Sequence, residues 1–236
     1  MTAKQFDSRT AELDSLVPSF HWHVFEVGRQ LPAGWIDELL ALAAARGTVR
    51  EFQPTAVTTA REAADETIPI EAVDGDVLAE ATPWIPRLYR GAFRLLGAGL
   101  AGEEVYPSAN AKVALSLNVQ RANAARYPCH VDSNPLEGLL YLTDCTVDTG
   151  GELVVGLDEN ARSIEEVDAD CTLVYPRAGQ LLFFDARRNP HYVRPLRSPD
   201  AVRAVVTMNY YSASCPETAR PDGLDDQLFV GDDRAA

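Results

Sequence analysis

The sequence is poor in histidine, cysteine and basic residues, and it contains no long apolar segment. Its 236 residues include four histidines and four cysteines. No apolar run approaches the roughly 18 residues that span a membrane, and the polar first residues do not resemble a secretory signal. We therefore expect a cytoplasmic protein with no membrane partner, in which a metal site with two histidines can be assembled in few ways.

Acidic residues outnumber basic residues. The chain has 21 lysines and arginines against 35 aspartates and glutamates, which gives a formal net charge of −14 at pH 7. Because phosphate binding needs a basic surface, this balance argues against nucleic acid as a partner. The acidity favours either a cationic substrate or simply solubility. The cysteines form no Cys-x-x-Cys pair, so we expect free thiols and neither a zinc ribbon nor a redox motif.

Helical signals dominate the first half of the chain. A strand is expected at 20–27, where apolar and polar residues alternate. A helix is expected to begin at Pro32 and to end at Gly47, because its apolar residues recur on one face and Gly47 stands at a C-cap position. A second helix, with Pro83 at its first position, is expected to end within the glycines of 97–102.

From residue 110 onward, the pattern changes to short alternating segments separated by turn-forming residues. The expected strands are at 112–119, 138–142, 152–155, 171–175, 180–184, 192–195 and 201–211. Many short strands at even spacing indicate a sandwich or a jelly roll. We predict a single, mainly β domain with flanking helices: an N-terminal support at 1–109, a jelly-roll core at 110–212 and an acidic C-terminal tail at 213–236.

The tripeptide His130-Val131-Asp132 is the strongest metal-binding signal. In an extended segment, residues i and i+2 point to the same side, so His130 and Asp132 can bind one ion together, with His191 as a third ligand. Two histidines and one carboxylate that leave open positions form the ligand set of non-haem iron(II) oxygenases. Alone, such a tripeptide often arises by chance. The competing pair, His21 and His23, has no carboxylate at a matching spacing, and we favour a structural role for it.

Arg203 follows His191 by twelve residues and stands near the start of an apolar strand. Thr207 and Asn209 share its side of the strand. An arginine that faces inward needs a partner, and a carboxylate is the natural one because guanidinium binds it through two hydrogen bonds. The alternative is an arginine whose head reaches water. Arg197 is a weaker candidate for the same role, because it lies in a loop.

Residues 110–212 resemble a known family. The resemblance rests on four stretches in order: RYPCHVD at 126–132, LYLTD at 140–144 with TGGEL at 149–153, PRAGQLLFF at 176–184, and HYVRP at 191–195 with RAVVT at 203–207. These stretches resemble the 2-oxoglutarate and iron(II)-dependent oxygenases, in their prolyl-4-hydroxylase-like branch. The resemblance implies a double-stranded β-helix with the metal in its mouth.

The resemblance also implies roles for particular residues. Fe(II) would be bound by His130, Asp132 and His191. Arg203 would bind the C5 carboxylate of 2-oxoglutarate, and Tyr141 would donate its hydroxyl to the same carboxylate. The alternative for Tyr141 is an ordinary core tyrosine.

Three positions differ from the family pattern or extend it. The tyrosine that is frequent about ten residues before the first histidine is replaced by Gln120 or Arg121. Gln120 is expected to hydrogen-bond the other end of the cosubstrate. Asn209 stands where an aromatic residue is frequent, so we expect a more polar substrate side, with Asn209 and Arg121 as candidate substrate-binding residues. Thr207 is expected to support the end of the cosubstrate that Arg203 binds.

The expected function is therefore oxidation of a small molecule with 2-oxoglutarate, O2 and Fe(II), with release of succinate and CO2 and with ascorbate as a stimulant. An amino acid or a natural-product intermediate fits, and hydroxylation, ring closure, epoxidation and desaturation remain open. The alternatives are a peptidyl (prolyl-type) hydroxylase, a cupin-like dioxygenase that needs no 2-oxoglutarate, and a catalytically silent jelly-roll sensor. The sequence does not indicate the oligomeric state.

Overall fold

Two antiparallel β-sheets pack against each other, and helices cover the outer side of the larger sheet. The computed structural model describes residues 22–54, 57–63, 67–121 and 126–224. The strands are β1 (Trp22–Glu26), β2 (Thr48–Phe52), β3 (Ile68–Asp74), β4 (Val105–Pro107), β5 (Leu115–Arg121), β6 (Tyr127–His130), β7 (Leu136–Tyr141), β8 (Leu153–Gly156), β9 (Cys171–Val174), β10 (Gln180–Phe184), β11 (His191–Val193) and β12 (Val202–Ser212). The α-helices are α1 (Trp35–Arg46), α2 (Gly75–Ala81), α3 (Trp84–Leu88), α4 (Arg94–Ala101), α5 (Ala111–Ala114) and α6 (Ile164–Ala169).

The order of the strands defines the topology. The larger sheet runs β1-β10-β7-β12-β5-β3-β2, with β4 paired to the end of β12, and the smaller sheet runs β6-β11-β8-β9. From β6 to β12 the chain passes repeatedly from one sheet to the other. This winding is a double-stranded β-helix, which confirms the predicted jelly-roll fold with flanking helices.

Alternation along the central strands separates a helix-facing side from a side that faces the smaller sheet. On β12, Ala204, Val206 and Met208 belong to the large core beneath the helices, whereas Arg203 and Val205 line a cavity between the sheets. The same alternation holds on its neighbours, where the core-facing residues are Leu115, Leu117, Val119, Leu136 and Leu140, and the cavity-facing residues are Ser116, Asn118, Glu137 and Leu139. Alternate residues of the same strands therefore face the main core and the cavity between the sheets.

Both long helices form close to where the sequence predicts them. Helix α1 begins at Trp35, slightly after the expected start at Pro32, and Gly47 is its C-cap. The second helical segment follows Pro83, is interrupted by a π-helical turn at Tyr89–Phe93, and ends at Gly102 in a left-handed conformation. Within the described residues, no helix combines the length and the apolar content that a membrane span requires.

Several local predictions need correction or extension. The strand expected at 112–119 begins only at Leu115, because 111–114 form the helical turn α5, where the side chain of Asn110 accepts a hydrogen bond from the backbone N–H of Lys112 at 3.1 Å. The elements α2, α6, β4 and β6 were not predicted. The expected strand at 20–27 is confirmed over Trp22–Glu26. Phe20 and His21, together with 225–236 of the expected tail, lie outside the described residues.

Leu140 offers a direct test of the core. It lies on β7 with no exposed surface, whereas Leu95 on α4 is 63% exposed. We expect Leu140→Ala to lower the free energy of unfolding by about 2–5 kcal/mol, because the substitution leaves a cavity in the main core. Leu95→Ala makes the same chemical change at an exposed position, and we expect it to change the free energy of unfolding by less than about 0.5 kcal/mol. Urea unfolding of both variants measures the difference, and equal losses would contradict the assigned core.

Candidate metal centre

Strand pairing brings the two histidines together. His130 is the last residue of β6 and His191 is the first residue of β11, and the register of these antiparallel strands places the two residues directly opposite each other. Their ring centroids are 4.4 Å apart. Asp132 follows β6 by two residues, so the turn after the strand carries its carboxylate back to the same side.

The side chains of His130, Asp132 and His191 converge on one point. Nε2 of His130 lies 3.3 Å from Oδ1 of Asp132, and Nε2 of His191 lies 3.9 Å from Oδ2. One potential ligand atom from each of the three residues lies within 4.8 Å of the others. Two imidazole nitrogens and one carboxylate oxygen that meet on one face match the ligand type and number of an iron(II) site with open positions.

Backbone carbonyls fix the orientation of both imidazoles. Nδ1 of His130 donates to the carbonyl oxygen of Pro128 at 2.7 Å, and Nδ1 of His191 donates to that of Asn189 at 2.9 Å. Because each carbonyl can only accept, the proton lies on Nδ1, and the Nε2 lone pair is directed at the shared point. Histidines that bind metals are held in the same way in many proteins.

The electrostatic environment favours the metal-binding protonation states of His191 and Asp132. Burial, and then the neighbouring imidazole of His130, lowers the pKa of His191 to about 4, so this ring is neutral at pH 7. Burial raises the pKa of Asp132, but the hydrogen bond from His130 and the charges of both histidines bring that pKa to about 2. Burial lowers the pKa of His130, whereas Asp132 outweighs this effect and raises it overall, so a proton competes with a metal ion for Nε2 of this ring.

Arg203 is buried next to the triad cavity, with only 2% of its surface exposed. Its Nε donates to the carbonyl oxygen of Gly151 at 3.0 Å, and its Nη1 donates to Oε1 of Gln120 at 3.3 Å. Gly151 has a φ of 80°, and a Cβ there would lie 2.9 Å from Leu196 and 3.4 Å from Cδ of Arg203. The tight glycine turn before β8 therefore leaves room for the guanidinium and fixes its direction.

Two buried phenols lie near this arginine. The guanidinium carbon of Arg203 is 5.6 Å from the ring centroid of Tyr141. Among the described residues, the hydroxyl oxygens of Tyr141 and Tyr127 are buried and have no hydrogen-bond partner. Burial raises the pKa of both phenols, so both hydroxyls keep their protons and can donate. Unpartnered buried donors beside a guanidinium form an environment suited to a carboxylate ligand.

A cavity of about 250 Å³ connects the triad with Arg203 and with the far strands of the larger sheet. Thr207 and Asn209, which the sequence places on the arginine's side of β12, both line it. Nδ2 of Asn209 donates to the carbonyl oxygen of Val113 at 2.6 Å, and Oγ1 of Thr207 lies 3.5 Å from the carbonyl oxygen of Ser116. Polar side chains thus line the part of the cavity in which the sequence analysis expects the substrate.

Two expectations for β5 require correction. Gln120 was expected at the end of the cosubstrate away from Arg203, but its side chain accepts a hydrogen bond from that guanidinium. Arg121 was expected to bind substrate, but it does not line the cavity. Its side chain is 44% exposed and pairs with Glu71, with Nε 3.2 Å from Oε2. Neighbouring residues of a strand point to opposite faces, so only one of the two could reach the interior.

The competing candidates occupy different environments. His21 lies outside the described residues, and the ring of His23 packs against that of Phe25 at a centroid distance of 4.6 Å. Within the described part of the chain, the only group of three or more possible metal ligands contains neither residue. Arg197 pairs with Glu152, with Nη2 2.7 Å from Oε1, and its side chain is 44% exposed.

Glu137 and Tyr127 line the cavity but were not singled out in the sequence. Glu137 is buried next to Asp132, and burial, followed by the charge of Asp132, raises its pKa well above the usual range. In the sequence, Glu137 directly precedes the strand predicted at 138–142, where a glutamate gives no signal of its own. Tyr127, three residues before His130, carried a signal only as part of the stretch that resembles the family.

Comparisons with known proteins agree with the fold. Residues 117–211 match the family model of the 2OG-Fe(II) oxygenase superfamily, and this range includes the triad and Arg203. A search of curated proteins finds no match.

Solved structures with a similar fold include three examples. AviO1 from Streptomyces viridochromogenes Tue57 is 17% identical, with a TM-score of 0.59 over 83% of this chain and 91% of that one. A prolyl hydroxylase from Trichoplax adhaerens, complexed with a hypoxia-inducible factor peptide fragment, is 17% identical, with a TM-score of 0.58 over 86% and 89%. The non-haem alpha-ketoglutarate-dependent epimerase SnoN from nogalamycin biosynthesis is 20% identical, with a TM-score of 0.57 over 82% and 78%. At these identities the likeness concerns the fold. The match to the family model covers residues 117–211, and the likeness of fold extends over most of the chain.

Proposed function

We propose that this enzyme hydroxylates, or otherwise oxidises, a small molecule with 2-oxoglutarate and O2. One observation carries the proposal: the imidazoles of His130 and His191 and the carboxylate of Asp132 meet within 4.8 Å in a cavity that also contains the buried guanidinium of Arg203. The three ligands are suited to bind iron. The guanidinium is suited to bind the second carboxylate of the cosubstrate.

Each residue has a distinct role in this proposal. His130, Asp132 and His191 bind iron(II), which supplies O2 activation coupled to the conversion of 2-oxoglutarate to succinate and CO2. Arg203 binds the C5 carboxylate, and the unpartnered hydroxyl of Tyr141 donates to the same group. Gln120 accepts from Arg203 and holds the guanidinium in place. Thr207 lines the cavity beyond Arg203 on the same strand.

The cavity favours a small substrate. Its volume of about 250 Å³ is below the usual range of about 300–1,000 Å³ for ligand pockets, so little space remains once a five-carbon diacid is bound. An amino acid or a natural-product intermediate is the proposed class. Several similar folds support it, including SnoN from nogalamycin biosynthesis. Hydroxylation is the simplest outcome, and the same centre can serve ring closure, epoxidation or desaturation. Asn209, which lines the cavity, is a proposed substrate contact.

A peptidyl hydroxylase is the second candidate. A similar fold is that of the prolyl hydroxylase from Trichoplax adhaerens, which was solved with a peptide fragment. A peptide would have to place one side chain in the cavity and lie across its mouth.

Succinate release tests the proposed activity. The purified protein, supplied with iron(II), 2-oxoglutarate, ascorbate and air, is expected to form succinate slowly without substrate, and a chelator is expected to stop the reaction. The same assay is then run with free amino acids and with a proline-containing peptide as candidate substrates. The true substrate class is expected to stimulate 2-oxoglutarate consumption. Absence of both succinate and 2-oxoglutarate binding would contradict the proposal and favour a silent sensor.

Tyr141→Phe separates a ligand-binding hydroxyl from a structural one. The hydroxyl has no partner in the free protein, so its removal is expected to leave the free energy of unfolding unchanged or slightly higher. Loss of one hydrogen bond to a carboxylate is expected to raise the KM for 2-oxoglutarate by about tenfold or more. Tyr106→Phe, at a side chain that is 43% exposed, serves as the control and is expected to change neither quantity. An unaltered KM in Tyr141→Phe would remove this residue from the cosubstrate site.

A further inference from the structure

The smaller sheet contains an irregularity beside the triad. Where β6 pairs with β11, His130 lies opposite His191 and Tyr127 lies opposite Val193, so two residue steps on β11 match three steps on β6. One extra residue on one strand of an antiparallel pair is a β-bulge, which bends the strand and redirects a side chain. Pro128 stands within this irregularity, and proline in a sheet is found at bulges and on edge strands. The bulge thus separates the tyrosine of β6 from the histidine of the triad.

The bulge directs the side chain of Tyr127 into the cavity. In a regular strand, Tyr127 would share a face with Cys129 and would point away from His130, because residues i and i+2 lie on the same side. Cys129 belongs to a separate apolar cluster with Val154 and Val167. Tyr127 and His130, by contrast, both line the cavity. The distortion therefore gives the tyrosine and the histidine a common face that regular alternation would not allow.

The hydroxyl of Tyr127 is a donor without an acceptor in the protein itself. The ring packs against the apolar cluster that contains Tyr141, Leu153 and Val193. The hydroxyl oxygen is buried and has no hydrogen-bond partner among the described residues. A buried hydroxyl without a partner destabilises the folded state, and phenylalanine would fill the same space without that penalty. A ligand that brings an acceptor atom would explain why the hydroxyl is there.

Tyr127 lies beyond the histidine pair in the direction of Arg203. Its partner Val193 follows His191 by two residues, a rise of about 6.5 Å along the strand. On β8, the same direction leads to the turn at Gly151, whose carbonyl oxygen accepts a hydrogen bond from Nε of Arg203. The step from the histidine pair to the tyrosine is comparable to the distance between the two carboxyl groups of an extended five-carbon diacid.

A carboxylate next to Arg203 needs more donors than the guanidinium and one phenol supply. It offers about four lone-pair sites, of which a guanidinium fork fills two and the hydroxyl of Tyr141 fills a third. The side chains of the surrounding cluster are apolar, so an unfilled site would remain desolvated and unpaired. Burial raises the pKa of Tyr127, and Arg203 is the charged group that acts on this pKa most strongly and lowers it. The second phenol therefore lies within the field of the same cation.

We propose that Tyr127 is a second hydroxyl donor to the C5 carboxylate of 2-oxoglutarate, in addition to Tyr141. This inference rests on the proposed function, which assigns that carboxylate to Arg203. Tyr127 belongs to the smaller sheet, whereas Tyr141 and Arg203 belong to the larger one, so the carboxylate is bound from both sheets. The hydroxyl keeps its proton throughout, and its contribution is to binding and to the selection of a diacid over a keto acid without a second carboxylate.

Binding of two keto acids to Tyr127→Phe tests this inference. 2-Oxoglutarate and 2-oxopentanoate have carbon chains of the same length, but the second has a methyl group in place of the C5 carboxylate. Calorimetry on the full chain with manganese(II) in place of iron measures 2-oxoglutarate directly and 2-oxopentanoate by competition. We expect Tyr127→Phe to weaken 2-oxoglutarate binding by about tenfold or more, and to leave 2-oxopentanoate binding within about twofold of that of the unmodified protein.

A structural role for the hydroxyl would change other quantities. Because the hydroxyl has no partner in the free protein, we expect the Tm of Tyr127→Phe to be unchanged or slightly higher, with unchanged manganese(II) affinity. Tyr106→Phe removes a hydroxyl from a side chain that is 43% exposed, and this control is expected to bind both keto acids normally. If 2-oxopentanoate binds neither protein, binding depends wholly on the C5 carboxylate, and the loss of 2-oxoglutarate affinity alone decides the inference.

Two results would overturn the inference: unchanged 2-oxoglutarate affinity in Tyr127→Phe, or equal weakening of both keto acids. The first would leave the hydroxyl to another ligand, and the second would assign it to the keto end of the cosubstrate. The proposed function fails by a different result, the absence of succinate release by the unmodified protein. Succinate release with unchanged affinity in Tyr127→Phe rejects only the role of Tyr127. A loss confined to 2-oxoglutarate, without succinate release, rejects only the oxygenase activity.

Discussion

His130→Ala is expected to abolish succinate release and to weaken manganese(II) or iron(II) binding by about 100-fold or more. Loss of a residue that merely supports a metal ligand costs about 10–100-fold in affinity, and loss of a ligand costs at least as much. The substitution leaves His191 and Asp132, which cannot bind the ion from three sides. Metal titration by calorimetry and the succinate assay measure the two effects. A Tm determination of the metal-free variant shows whether it remains folded.

His23→Ala is the matched control for this variant. It removes the same kind of side chain from the N-terminal His-Trp-His segment, where the ring of His23 packs against that of Phe25. We expect unchanged metal affinity and unchanged succinate release. Loss of metal binding in His23→Ala together with its retention in His130→Ala would transfer the metal site to the N-terminal strand.

Arg203→Met is expected to raise the KM for 2-oxoglutarate by about 30-fold or more while it leaves manganese(II) affinity unchanged. Truncation of one partner of a buried charge pair costs about 2–5 kcal/mol, and each 1.4 kcal/mol is about tenfold in affinity. Methionine keeps the length of the side chain but removes the charge and the donors to Gly151 and Gln120. Calorimetry with 2-oxoglutarate and manganese(II) separates the loss of the diacid from a loss of metal.

Arg197→Met is the matched control for this second variant. Arg197 also lies shortly after His191, but it pairs with Glu152, which keeps a contact with Arg194 at 3.3 Å when Arg197 is removed. We expect its KM for 2-oxoglutarate to match that of the unmodified protein. If both variants bound 2-oxoglutarate normally, neither arginine would be the carboxylate anchor, and a dioxygenase without this cosubstrate would become the better interpretation.

The placements of site residues that the sequence predicts depend on short-range regularities. His130 and Asp132 stand two residues apart, and Arg203, Thr207 and Asn209 follow the two-residue period of one strand, so their common orientation requires no knowledge of the fold. The helix end at Gly47 likewise follows from local backbone chemistry.

The parts that the sequence does not predict depend on long-range pairing or on a single residue of register. Gln120 and Arg121 differ by one position, and only the pairing of Gln120 with Arg203 across β5 and β12 determines which of them faces inward. The helical turn α5 interrupts an apparent strand because Asn110 caps it.

The two halves of the site belong to different sheets, and this arrangement has a consequence for selectivity. The histidines of the proposed metal site lie on the smaller sheet, whereas Arg203 lies on the larger one. The separation between this site and the guanidinium therefore depends on the apolar side chains packed between the sheets, among them Leu139, Leu153, Val193 and Val205. A change in the bulk of these side chains would alter which length of keto diacid fits, even though none of them carries a charge or a hydrogen bond from its side chain.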